Sequence, residues 1–167
     1  HCGAGLAVVS VPVELAIVLH MQTALRAING VAPYFNTVKS ASVVLDPREL
    51  ATVPATEVPF MVIGHRIETI MDRPSTSRPV AIQIRKRFIL EARIDVNRES
   101  TGSEKLTAMC QFEADVERAL LVDYTRGALA MYTYVGEATR YTGLANQLQC
   151  YVEIPIEVLW QRAYGTP

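Results

Sequence analysis

The sequence predicts an α+β fold: a mainly antiparallel, twisted sheet with long strands and two α-helices packed on one face. Two alternating stretches and two amphipathic ones carry that expectation. In residues 80–97 the positions Val80, Ile82, Ile84, Phe88, Leu90, Ala92, Ile94 and Val96 are apolar, and Gln83, Arg85, Arg87, Glu91, Arg93, Asp95 and Asn97 are polar. A period of two belongs to a strand with one dry face. Residues 147–161 repeat it, with Leu148, Cys150, Val152, Ile154, Ile156, Val158 and Trp160 set against Gln147, Gln149, Glu153, Glu157 and Gln161. Paired antiparallel, the two strands set Arg85, Arg87 or Arg93 across from Glu153 or Glu157 on the wet face, at roughly 0.2–1 kcal/mol per pair. Lys86 and Ile89 break the first alternation, which predicts a bulge or bend. Pro155 donates no ladder hydrogen bond and predicts a bulge or an edge. Fully extended, the first strand would run on the order of 55 Å, about three times a usual globular strand, so it is expected to bend or to project in a long hairpin.

The remaining elements follow in chain order. A helix is expected from residue 11 or 12 to 29, with Pro12 tolerated at its start and Gly30 as its stop. Val18, Met21, Leu25 and Ile28 form its apolar face, and Glu14, Gln22, Arg26 and Asn29 the polar one. Residues 38–45 read as extended, and 46–50, Asp-Pro-Arg-Glu-Leu, as an Asp cap with Pro at the first position of one short turn. Pro54 and Pro59 bracket an irregular link. Residues 59–63 form a short buried strand that continues through Arg66, Glu68 and Ile70, and 72–79 a polar, Pro-punctuated hairpin tip. Thr101 and Glu104 fit a capping box that opens a second helix. Its dry stripe is Leu106, Met109, Phe112, Val116 and Leu120; Glu104, Lys105, Glu113, Asp115, Glu117 and Arg118 are expected to face water. The helix ends between 123 and 127. Residues 129–141 form a strand with Tyr132 and Tyr134 on one face, and 143–146 turn into the final strand.

The 167 residues suit one domain, with 1–10 as an N-terminal extension, 11–167 as the domain and the projecting hairpin around 66–97. Half the residues are hydrophobic and 20% charged, which excludes a disordered chain. A formal net charge of −1 gives no electrostatic footprint for tight nucleic-acid binding. Cys2, Cys110 and Cys150 are unpaired in number and far apart, so Cys110 and Cys150 read as core thiols; His1, His20 and His65 are equally scattered, and no metal site is expected. Residues 4–21 are strongly apolar, yet Pro12 and Glu14 interrupt them and no basic flank precedes them, which argues against a membrane span. No nucleophile elbow, P-loop, HExxH or EF-hand pattern occurs. Glu91 and Asp95 lack the Lys that a metal nuclease would need. No cofactor and no enzymatic activity are expected.

The order of elements resembles the tail-terminator (tail-completion) proteins of tailed bacteriophages. The resemblance rests on a helix over 13–29, the DPREL turn at 46–50, the Pro-preceded strand Pro59-Phe-Met-Val-Ile63, and the long Arg-bearing strand ending in Asp95 and Asn97. A Leu- and acid-rich helix over 103–123 and a last strand bearing Trp160 complete it, so that it spans the chain from about residue 12. It implies a hexameric ring in the virion, assembled in the host cytoplasm, that caps the head-proximal end of the tail tube and ends its polymerisation. The implied partners are other copies of the chain, the tail-tube protein and the head connector or stopper, with DNA passing through the lumen. Other neck or head-completion proteins are the alternative reading, followed by a small enzyme or a monomeric binding module. Arg73, Arg78, Arg85, Arg87, Glu113, Asp115 and Glu117 are the candidate residues for contacts between subunits or with partners, with the loop 72–79 expected to reach the next protomer or the adjoining tail layer and the acid-rich helix face as one counterpart for it.

Overall fold

The computed structural model describes residues 12–74, 81–97, 100–143 and 148–163, and the architecture is α+β. In chain order the described elements are α1 (Val13–Arg26), β1 (Val43–Val44), β2 (Phe60–Val62), β3 (Ile67–Pro74), β4 (Ala81–Asp95), α2 (Gly102–Leu121), β5 (Tyr132–Val135), β6 (Thr139–Thr142) and β7 (Gln149–Ala163). Among the described residues, seven strands form one mostly antiparallel sheet of order β1-β2-β4-β7-β5, with β3 also on β4 and β6 also on β7. The two alternating stretches are its spine. They pair without a register shift from Ala81 opposite Ala163 to Asp95 opposite Gln149. Shorter strands then lie end to end on either side: β3 and β2 along β4, β5 and β6 along β7.

The inner face of this spine is the core. Ile84, Phe88, Leu90, Ala92 and Ile94 of β4 and Cys150, Val152, Ile154, Ile156, Val158 and Trp160 of β7 are buried with Ile17, Val18, Met21 and Leu25 of α1 and Met109, Phe112, Val116 and Leu120 of α2. Both helices therefore cover the face that the alternation marked as dry. Among the described residues, the other face is covered where the link after β1 folds over β2 and Val53, Phe60 and Val62 form a second small cluster.

Neither pattern break shifts the register of the spine. Lys86, on the inner face, ion-pairs with Glu14 of α1, so Glu14 turns toward the sheet rather than to water, and the two polar intrusions answer each other. Ile89 is buried on the opposite face across from Pro155. The one register shift that involves β4 lies in β3, between Thr69 and Met71. Pro155 is neither bulged nor on an edge strand. It falls where the far side of β7 passes from β6, ending at Thr139 opposite Glu153, to β5, ending at Val135 opposite Ile156. Its carbonyl accepts the Gly136 N–H at 2.8 Å, and a Cβ on Gly136 would come within 2.9 Å of the proline ring, so the crossing needs glycine. The single strand expected over 129–141 is split there.

Other boundaries move for local reasons. Helix α1 stops at Arg26, short of Gly30, and Gln22 is buried because its Nε2 donates to the Val43 carbonyl at 2.8 Å. The short turn expected from Pro47 begins instead at Leu50 as a 3-10 turn, and the extended stretch 38–45 shrinks to β1 behind another. Gly64, at φ +93° and within 2.7 Å of Val18 at its missing Cβ, separates β2 from β3. The hairpin of β3 and β4 gains β7 as a third strand. Residues 75–80, including Arg78 and most of the expected tip, lie outside the described residues, as do 144–147 of the last turn.

The Thr101–Glu104 capping box opens α2 as expected. Its buried arc, however, is rotated: Leu106 is 48% exposed and Cys110 is exposed, while Asp115 and Ala119 are buried. At about 100° per residue, Leu106 lies roughly a quarter-turn from the centre of that arc. The helix ends at Leu121, and the chain then turns on Asp123. One carboxylate oxygen accepts the Thr125 N–H and O–H; the other accepts the Gly127 N–H at 2.6 Å and lies 3.3 Å from His20 Nε2.

Two measurements check this frame. Replacing Ile94 or Ile154 by Ala should destabilise the protein by about 2–5 kcal/mol in denaturant titrations, as expected for a buried site that cannot collapse. The Thr125 hydroxyl, then the Gly127 N–H, hold the Asp123 carboxyl below its ordinary value. A lowered folded pKa adds stability that is present above the unfolded value of about 4 and is lost as pH falls through the folded one. Thr125→Val should therefore show a smaller stability loss than wild type on acidification between about pH 5 and 1.

Candidate interaction surface

The outer face of the spine carries a charge ladder set by register. Arg87 lies directly opposite Glu157 and bonds it at 2.8 Å, with Glu68 of β3 3.3 Å away; Arg85 reaches the same Glu157 at 3.7 Å. The Glu157 carboxylate, foremost, holds the Arg87 guanidinium above its ordinary pKa. Further along, Glu91 stands opposite Glu153, a like-charge pair that would repel. Arg66 bridges them, at 2.6 Å to Glu91 and 3.3 Å to Glu153, and His65 Nε2 lies 3.3 Å from Glu91. The bond to Glu91 is the largest cause of a raised Arg66 pKa.

Arg93 departs from the expected ladder. It faces Tyr151 rather than a glutamate and is buried under the link, where it bonds Asp95 through two 2.8 Å contacts and donates to the Leu50, Ala51 and Val53 carbonyls. It is a clamp for the irregular segment, whose short turns leave carbonyls that a guanidinium fork can satisfy.

The acid run of α2 is not one wet face. Asp115 is 0% exposed and accepts the Phe35 and Asn36 N–H groups and the Asn36 side-chain amide at 2.8–3.1 Å. Glu113 is half-buried and paired in a fork with Arg140 of β6, which raises the arginine's pKa. Only Glu117 stays exposed. Asp115 is thus taken by its own chain, because the loop after α1 brings two unpaired N–H groups to it.

Two unlike edges flank the ladder. Among the described residues, β3 pairs only with β4, and β5 and β6 only with β7. The β3 side carries exposed Arg73. The β5 and β6 side carries exposed Tyr132, Tyr134 and Tyr141, the last stacked on Tyr151 at 5.3 Å. Between them, over Pro155, lies a hollow of about 330 Å³ walled by Glu68, Glu137, Glu153 and Glu157 with Arg87 as its cation. Among the described residues no group of three His, Cys, Asp or Glu side chains is placed to hold a metal ion, and no helix is long and apolar enough to cross a membrane.

The structure brings Arg85 and Arg87 together, places Arg73 at one edge, and disperses Glu113, Asp115 and Glu117. Arg66 and Arg140 escaped the sequence reading. A signal for Arg66 existed, since pairing the two long strands puts Glu91 against Glu153 and demands a cation from a third strand. No family model matches the chain, and no curated protein matches it.

Asp115→Ala should destabilise the fold by about 1–3 kcal/mol, the cost of leaving a buried polar group without its partner. Hydrogen exchange should show new exposure at Phe35 and Asn36, whose amides lose their acceptor.

Proposed function

We propose that this protein is a ring-forming structural component of a phage virion that caps the head-proximal end of the tail tube, ends tube polymerisation and joins tail to head connector. The observation that carries the reading is the pair of unlike edges, unpaired among the described residues, on one long-stranded sheet. A ring closes through heterologous contacts, in which one patch of each copy meets a different patch of the next. Strand addition at a sheet edge supplies such a contact, with backbone hydrogen bonds for affinity and side chains for register. The order of helix, turn, long strands, helix and long strand supports the tail-terminator reading, and six copies follow by analogy with that family. A near-neutral chain suits a lumen through which DNA slides, since tight phosphate contacts would hold it back. Arg73, near the end of β3, is proposed to meet the acidic hollow of the neighbouring copy, in preference to the α2 face where Asp115 is buried.

Light scattering on the eluted protein, alone and with tail tubes, tests the proposal. A closed oligomer, or one that forms on tubes and stops their growth, is expected. Tyr132→Lys with Tyr134→Lys should leave the circular dichroism and melting of the monomer near wild type while abolishing assembly, because charged residues blunt an edge. A stable monomer that leaves tube length unchanged would refute the reading.

A further inference from the structure

The turn after α2 drives an arginine into the seam between the two helices. Arg126 is 0% exposed, and its Nε, Nη1 and Nη2 have no hydrogen-bond partner among the described residues. The nearest carboxylate does not serve it: both oxygens of Asp123 are engaged by Thr125, Gly127 and His20. The backbone is bent to put the guanidinium there, with Arg126 at φ +53° and Ala128 at φ +65° in the left-handed region that side chains disfavour. It lines a cavity of about 230 Å³ together with Ala24, Ala27, Tyr34, Ala119 and Val122. His20 also lines it, and its Nδ1 is buried without a partner. Burial pushes the Arg126 guanidinium down from its ordinary pKa, with Asp123 opposing.

A buried arginine stays charged and fits a carboxylate through its fork. The exposed wall surface is mostly apolar, although Thr23 and the Asp123 carboxylate, already engaged by its own turn and His20, also line it, and the volume is below the ~300–1,000 Å³ of pockets for drug-sized ligands. We propose that Arg126, with His20 beside it, forms a binding site for a carboxylate carried on a short apolar stem, reached as the turn over it yields. That chemistry has two sources, a free short-chain acid or the C-terminal residue of a polypeptide.

Calorimetric titration of the full chain at constant ionic strength tests the site, with butyrate as the free acid and N-acetyl-Ala-Ala-Val as the polypeptide end. Saturable binding of either probe is expected, with the His20 ring resonances moving along the same isotherm. Binding by butyrate alone assigns a free acid; binding by the peptide and not by its C-terminal amide assigns a chain end. Arg126→Gln should abolish binding, and Arg126→Lys should weaken it at least about tenfold, because an ammonium presents no fork. No saturation by either probe, equal affinity for chloride or phosphate, binding that leaves His20 unmoved, or an unchanged isotherm in Arg126→Gln would overturn the proposal. Should the glutamine variant fail to fold, the wild-type titrations and the anion comparison decide it.

Discussion

An unshifted antiparallel ladder between β4 and β7 is the constraint on which the rest of the structure depends. Because side chains alternate along each strand, one register assigns every residue of both strands to a face, and a slip of one residue would exchange core for solvent. That register buries the inner residues under α1 and α2 and, on the other side, places Arg87 against Glu157 and Glu91 against Glu153. The second of these pairings is unfavourable alone. It becomes tolerable because Gly64 lets the chain turn between β2 and β3 and bring His65 and Arg66 over the two carboxylates.

The same ladder explains the division into edges. No single short strand flanks more than part of a spine of this length. Each side is therefore covered in two pieces, with a break at Gly64 on the β4 side and at Gly136 on the β7 side. Pro155 sits at the second break, where a missing N–H has no partner to lose. The outcome is a sheet whose helices occupy one face, whose opposite face is charged, and whose two sides differ in composition. Those features make it a candidate for head-to-tail assembly.

The faces of the long strands and the capping box of α2 were legible in the sequence, because both depend on periodicity or local hydrogen bonding. What was not legible depends on distant chain. Asp115 looks like a solvated acid beside Glu113 and Glu117, but the Phe35 and Asn36 amides bury it and rotate the helix away from Leu106. Gln22 and Glu14 look polar and outward until Val43 and Lys86 claim them. Arg93 fits the wet alternation, yet the short turns of the link bend over it and use its guanidinium. The Arg85–Arg87 pair kept the outward position that alternation gives, whereas Arg73, expected in the hairpin tip, lies in β3. In each miss a polar side chain meets a backbone group or a counter-charge from far along the chain, which a hydropathy pattern does not encode.

We propose that the β3 edge of one copy meets the β5 edge of the next. Paired cysteines test it most directly: Thr69→Cys on β3 and Tyr134→Cys on β5, in a chain from which Cys2 and the exposed Cys110 have been removed. Under mild oxidation at assembly concentration, the account predicts intermolecular disulfides joining unlike positions, in a ladder of covalent multimers that stops at a closed size. The single Thr69→Cys and Tyr134→Cys chains should give no such ladder. Disulfides between like positions only, or an uncrosslinked monomer at every concentration, would contradict it.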